Sequence, residues 1–296
     1  MQNNNLNENN NTENLSKELL KNILREYIKW KTYTPKVGIF GDTGVGKSSL
    51  CNALFGKDIA RVSDVKACTR EIQEISLNTE NGGIILIDVP GVGEDTERHE
   101  EYKELYKKLL PKLDLIVWAI KADDRKYRSS LSVYNEVVKD SAISTIFVIT
   151  QSDKIEPVRE FYQNNEQLGP TQLKNLEIKA DEISKTFGID KNLIVPISTI
   201  NGYNLDVLIK KIVSILPDEK KVSFTRETNE KYTDEEVKKE AKKSLWGFIK
   251  RKFDESVDAI KDTVEELWEE NKEKIIKKGI DYVMKKVTKW WQHRKQ

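Results

Sequence analysis

The run GDTGVGKS, Gly41 to Ser48, satisfies G-x-x-x-x-G-K-[ST], and residues of these types at this spacing suit one task, the cradling of a polyphosphate. Glycines at 41, 44 and 46 let the chain curl so that the backbone N–H groups of the loop, from Asp42 through Thr43, Gly44, Val45 and Gly46, face the phosphates. A helix opening at Lys47, with Ser49 in its first turn, adds its positive end. Lys47 would contact the β and γ phosphates, and the Ser48 hydroxyl would ligate Mg²⁺. Four fixed positions of this kind arise by chance about once per hundred chains of this length. The strand pattern KVGIF before the motif and the helical pattern after it strengthen the match.

Two further strings decide which nucleotide would sit there. DVPG, Asp88 to Gly91, follows the apolar run GIILI, and TQSD, Thr150 to Asp153, follows STIFVI. Each falls at the C-terminal end of a predicted strand, where open α/β sheets bind ligands. Asp88 is placed to hold Mg²⁺ through water, and the Gly91 N–H to sense a γ phosphate. Asp153 offers two carboxylate oxygens to the guanine N1–H and N2–H, a donor pair that adenine lacks. On its own, TxxD after a strand is more often a turn or a helix cap. In register with the other two motifs it becomes a guanine reader, with Thr150 and Gln151 beside it and GTP or GDP as the ligand.

Short apolar runs alternating with helical patterns must position these strings. KVGIFG, REIQEISL, GIILIDV, LDLIVWAI, STIFVIT and NLIVPIS read as strands; helices are predicted from Lys47 and near 130–139, 172–186 and 204–215. That alternation predicts a doubly wound, mostly parallel α/β sheet over residues 35–217, covered by helices on both faces. Residues 1–14 hold 8 Asn and read as a disordered tail. Residues 15–34 read as an amphipathic N-terminal helix, 218–233 as a polar linker, and 234–296 as a C-terminal helical region.

The chain has 296 residues, enough for one core of this type plus appendages. With 50 basic against 49 acidic side chains, and Lys outnumbering Arg 40 to 10, it lacks the basic bias and the Arg content of a nucleic-acid reader, so specific DNA binding is not expected. Cys51 and Cys68 cannot build a disulfide framework or a zinc site. The N-terminus lacks the features of a signal peptide, and the longest apolar run, LIVWAI, is far below the roughly 18 residues of a membrane span. A cytoplasmic protein, at most peripheral to a membrane, is expected.

In motif order the chain resembles a TRAFAC-class P-loop GTPase across residues 36–217. The resemblance implies a switch I threonine, best matched by Thr69 in ACTRE, 21 residues after Ser48 and 19 before Asp88, with its hydroxyl and carbonyl on Mg²⁺ and the γ phosphate. Thr79, in the turn NTENGG, is the alternative. It also implies a base-side loop at VPIST, residues 195–199, bringing in Ser198 and Thr199, and a catalytic set of Lys47, Thr69 and Gly91. More narrowly, VSDVKACTRE, TQSDKIEP and PISTINGYNLDVL look like the bacterial YfjP/YeeP-type GTPases, relatives of Era that are commonly labelled ribosome-binding. The loop form GxTGVGKSS is also similar to septin, AIG/Toc and immunity-related GTPases, many of which pair across the nucleotide.

Three departures qualify the family pattern. Val92 stands where Ras-type proteins carry the water-positioning Gln, Gly44 where potassium-stimulated Era-like members carry Asn, and Gln151 where a Lys normally covers the base. Hydrolysis is therefore expected to be slow unless a second protomer or a partner completes the site. Arg61, Arg70, Glu94, Asp95 and Arg98 are switch-region candidates for that role, though most exposed charges have none. Cys68 and His99 read as an inert small residue and a surface residue, and Trp118 as core. The last 26 residues carry 9 basic and 2 acidic side chains among Ile275, Ile280, Val283, Met284, Val287, Trp290 and Trp291. This pattern fits either a helical hairpin or an anchor on anionic lipid. The sequence thus points to a GTP-hydrolysing cytosolic switch, with a self-assembling scaffold attached to membranes as the rival, and a homodimer across the nucleotide, a ribosome or a membrane surface as partners.

Overall fold

The computed structural model describes residues 21, 25, 29, 33–56, 73–79, 82–88, 99–125 and 127–261. Strands that are apolar on both sides need helices on both faces of their sheet, and that requirement sets the architecture. Six strands form one sheet: β1 (Lys36–Phe40), β2 (Gln73–Thr79), β3 (Gly82–Asp88), β4 (Leu115–Lys121), β5 (Ser144–Thr150) and β6 (Ile194–Pro196). Their order is β2-β3-β1-β4-β5-β6, with β2 antiparallel to β3 in a hairpin and the other pairings parallel.

The period of two sorts the side chains into two cores. Val37, Ile39, Leu115, Val117, Ile146 and Val148 face one way, against Leu50 and Leu54 of helix α1 (Lys47–Phe55). Later in the chain, Leu208, Ile209, Ile212 and Val213 of α6 (Leu205–Ile215) join them. Phe40, Ile116, Trp118, Ile120, Phe147 and Ile149 face the other way. That face is covered by α2 (His99–Leu109), α3 (Arg128–Val133) with the wider turn Tyr134–Val138, α4 (Val158–Gln163) and α5 (Pro170–Phe187). Trp118 is fully buried there, stacked on Phe40 with centroids 5.7 Å apart and met edge-on by Tyr134 at 5.5 Å. The sheet is thus the doubly wound, mostly parallel one expected.

Helices α2 and α4 are not among the elements predicted from the sequence, although Tyr102, Leu105, Tyr106 and Leu109 of α2 recur at helical spacing. Residues 218–233, expected as a polar linker, contain a further helix, α7 (Asp218–Glu227), in which Lys221 to Arg226 are all buried. Its polar residues are tolerated because other groups pair with them: Lys220 with the distant Asp114 at 2.6 Å, Lys221 with Glu240 at 3.1 Å, and Arg226 with the neighbouring Glu227 and the distant Tyr33 carbonyl. Phe224 meets Phe55 of α1 edge-on at 5.8 Å. The last described helix, α8 (Glu235–Lys261), is capped by Asp234, whose Oδ1 accepts the Val237 N–H at 2.9 Å. Lys210 beside Asp234, together with that bond, holds the carboxyl below its ordinary range.

The chain divides into two units, residues 33–242 and a second made of 1–32 with 243–296. In the second, Lys21, Arg25 and Lys29 are helical and exposed, as the polar face of the expected N-terminal helix requires, and α8 continues to Lys261. The tail 1–14 and residues 262–296 lie outside the described residues.

One carboxylate fastens the base of the sheet. Asp114, immediately before β4, accepts the Tyr33 hydroxyl at 2.6 Å and the Lys36 N–H at 2.9 Å, and pairs with Lys220 at 2.6 Å. Burial, and then the bond to Asp114, push the Tyr33 phenol well above its ordinary range. Asp114→Ala leaves three donors without their acceptor and should cost about 2 to 3 kcal/mol of stability. Urea unfolding should show a lower midpoint with an unchanged slope, while GDP affinity is retained, because the loops at the far end of β4 are about 20 Å away.

Candidate functional site

The glycine-rich loop joins β1 to α1 at the C-terminal edge of the sheet. Gly41 has φ 142°, and a Cβ there would lie 2.4 Å from the Ala119 carbonyl oxygen of β4, so the loop lies against the neighbouring strand only because residue 41 has no side chain. Gly44 and Gly46 follow with φ 78° and 92°. The first turn of α1 carries no acidic residue, which leaves the positive end of the helix free for an anion. Lys47 folds back over the loop, its Nζ donating to the Gly41 and Asp42 carbonyls at 3.1 and 3.2 Å. Thr43, Gly44 and Ser49 are exposed, Ser48 is half-buried, and Val45 is buried.

TQSD lies against this loop. Thr150 Oγ1 donates to the Val45 carbonyl at 2.6 Å, and Gln151, in the left-handed region at φ 53°, donates from Nε2 to the Gly44 carbonyl at 3.0 Å. Lys154 donates to Gln151 Oε1 at 2.8 Å, so a cation stands one residue beyond Asp153 even though the motif's own Lys is missing. Asp153 is only 5% exposed. Its Oδ1 accepts the hydroxyl of the fully buried Ser198 at 2.6 Å, and its carbonyl accepts Gln172 Nε2 of α5 at 3.3 Å. Gln172 also donates to the Ile155 carbonyl at 2.9 Å, fixing the backbone that carries the carboxylate. Thr199 is half-buried beside Ser198.

The other flank of the loop is acidic. Asp42 accepts the Ser130 hydroxyl of α3 at 2.8 Å. Burial and then the charge of Asp42 hold the Asp124 carboxyl above its ordinary range. The Asp124 carbonyl accepts both Tyr127 Oη, at 3.1 Å, and Lys179 Nζ. Lys179 lies 4.7 Å from the centre of the Tyr127 ring, and burial pushes its amine below the usual lysine range.

The glycine-rich loop, TQSD and the VPIST loop are therefore contiguous, joined by the bonds of Thr150, Gln151 and Ser198. Asp88 ends β3, with its backbone paired to Ile39, two residues before Gly41. Ser48, in the first turn of α1, lies at the same edge of the sheet as the last residue of β3. Thr69, Gly91, Val92 and the switch candidates Arg61, Arg70, Glu94, Asp95 and Arg98 lie outside the described residues, as does Cys68. Thr79 pairs with Gly82 while Gln73 pairs with Asp88, which puts Thr79 about 20 Å from the metal-side end of the strand and leaves it no part in the site. His99 opens α2. Sequence reasoning missed Ser130 and Gln172, which are single polar residues within helical patterns, and Lys154, whose only signal was a charge next to Asp153.

A family model described as 50S ribosome-binding GTPase matches residues 36–151. YkfA of Escherichia coli strain K12, an uncharacterized protein, is 35% identical over 243 residues, covering 82% of this chain and 80% of YkfA. YfjP of the same strain, also uncharacterized, is 37% identical over 198 residues, covering 67% of each protein. GTPase Era of Caldicellulosiruptor saccharolyticus is 30% identical over 183 residues, covering 62% of this chain and 55% of Era. The GTPase family model, the likeness to YkfA through four fifths of that protein and the likeness to Era together decide the family: the chain belongs to the Era-like P-loop GTPases and is a GTP hydrolase.

Proposed function

We propose that this GTPase is a molecular switch that reads guanine through Asp153, holds the β and γ phosphates on the Gly41–Ser48 loop, and passes its state to the helices that follow the sheet. The observation that carries this reading is the 2.6 Å bond from Thr150 to the Val45 carbonyl, which sets the base-side motif directly against the phosphate-side loop. In this reading Lys47 leaves the neutral carbonyls of Gly41 and Asp42 for the stronger, charge-assisted bonds of the phosphates. Ser48, Asp88 and Thr69 would hold Mg²⁺, which neutralises charge on the β and γ oxygens when bound. The Gly91 N–H would register the γ phosphate. Ser198 and Thr199 would steady the base side.

Hydrolysis in one isolated chain is expected to be slow. Val92 has no group with which to orient water, and Gly44 has no side chain to hold a potassium ion. We infer that a second copy supplies the missing group by pairing across the nucleotide. A group supplied in trans contributes about 10³ to 10⁵ in rate in this enzyme class. Ribosome contact, named in the family model's description, and membrane attachment through the last 26 residues remain separate readings of the output.

Asp153→Asn should move preference from GTP toward xanthosine triphosphate, because the amide donates where the guanine amino group needs an acceptor. Competition binding with GTP, XTP and ATP checks this, and an unchanged GTP to ATP ratio would remove the guanine assignment. Turnover per protomer, measured at saturating GTP across a wide dilution series, should rise with protein concentration. A flat, fast profile would show that one chain already carries the catalytic group, and a flat profile near zero would point to a separate activating protein.

A further inference from the structure

The turn that follows α7 touches both sides of the nucleotide site. The Asn229 N–H donates to the Leu54 carbonyl at 2.7 Å and its side-chain amide to the Ala53 carbonyl at 3.3 Å, at the C-terminal end of α1, the helix whose other end is the phosphate loop. Asn229 Oδ1 then accepts the Lys231 N–H at 3.1 Å and starts the single turn Glu230–Tyr232. The buried hydroxyls of Thr228 and Thr233, 2.9 Å apart, close that turn with a shared hydrogen bond. These contacts make the turn a rigid mount for its last residue, Tyr232.

The Tyr232 ring lies against Gly202. A Cβ at position 202 would be 2.8 Å from the phenol oxygen and 2.9 Å from Cε1, and the residue has φ 78°, so both backbone and ring demand glycine there. Gly202 belongs to the loop that carries Ser198. Within it the Ser198 N–H donates to the Tyr203 carbonyl at 3.2 Å, the Tyr203 N–H to Asn201 Oδ1 at 3.1 Å, and Asn204 Nδ2 to the Pro196 carbonyl at 3.0 Å. A shift at Gly202 therefore reaches Ser198 through one residue, and Ser198 holds the Asp153 carboxylate at 2.6 Å.

We propose that Tyr232, which lies beyond every nucleotide-binding motif in the sequence, is a positioning residue for guanine recognition. It braces the loop at Gly202 so that Ser198 keeps the Asp153 carboxylate in the plane of the base. The proposal rests on the reading of Asp153 as the guanine acceptor. Hydrogen bonds weaken steeply when misaligned, and the two-point contact to N1–H and the amino group requires both carboxylate oxygens in plane. Inosine nucleotides keep N1–H but lack the amino group, so they report on the second contact alone.

The test measures equilibrium binding of GDP and IDP to the full chain and to its Tyr232→Ala, Tyr232→Phe and Asp153→Ala variants. The wild type should prefer GDP. Tyr232→Ala should lower the GDP to IDP ratio about fivefold, the scale of one misaligned hydrogen bond, and Tyr232→Phe should restore it because the ring edge still meets Gly202. If Tyr232→Ala does not fold, Tyr232→Leu fills the core without reaching Gly202 and should show the same loss of ratio. A variant that weakens both nucleotides equally, with the ratio intact, would reduce Tyr232 to a structural residue and overturn the proposal. A wild type that does not distinguish GDP from IDP, with Asp153→Ala changing neither, would instead sink the reading of Asp153 itself.

Discussion

The bond from Thr150 to the Val45 carbonyl is the constraint on which the loop edge of this sheet depends. The two residues are 105 positions apart, and without the hydroxyl a buried carbonyl in the glycine-rich loop would lose a 2.6 Å partner, at a cost of about 1 to 3 kcal/mol. The bond can form only if β5 emerges two strands from β1 in the right register. That register is set by Phe40 opposite Trp118 and Trp118 opposite Phe147. The aromatic core beneath the loops is thus part of what shapes them. The price is the Trp118 indole N–H, which is buried without a hydrogen-bond partner among the described residues.

Several of the bonds at the same edge join polar side chains to neutral groups. Lys47 donates to two neutral carbonyls among its contacts, Asp42 accepts a neutral hydroxyl, and Gln151 bonds a carbonyl on one side and Lys154 on the other. Neutral partners give way to an ionised ligand because charge-assisted bonds are about twice as strong. Lys179, by contrast, is sequestered under Tyr127 and tied to the Asp124 backbone, so it stiffens the loop after β4.

How much of this was legible in the sequence follows from where each residue type is irreplaceable. Gly41 must be glycine because a strand carbonyl occupies the place of its Cβ, and Asp153 is marked by its position after an apolar run, so both could be read from type and spacing. The mostly parallel sheet covered on both faces was implicit in the alternation of runs, but its strand order, β2-β3-β1-β4-β5-β6, was not. Helix α7 could not be read, because its sequence DEKKVSFTRE carries charges whose partners, Asp114 and Glu240 among them, are remote in the chain. Ser130, Gln172 and Tyr232 were invisible for the same reason. Each matters through a contact across the fold, and no local pattern announces it.

Asp114 gives the unit of residues 33–242 an asymmetric response to tension. The segment entering at Tyr33 and the segment leaving at Lys220 both end on this one carboxylate, at the edge of the sheet opposite the loops. A pull on the chain before Tyr33 is therefore borne at the base of the sheet, by Asp114 and by Arg226 of α7. A pull arriving through residues 233–242 is met by the pairs of Glu240 with Lys221 and Asp234 with Lys210 before it reaches Tyr232 and Asn229, which bear on the Ser198 loop and on α1. The N-terminal attachment of this unit therefore sits at the end of the sheet away from the nucleotide loops, whereas the turn after α7 rests on the loop of Ser198 itself, so the two attachments bear on opposite ends of the sheet.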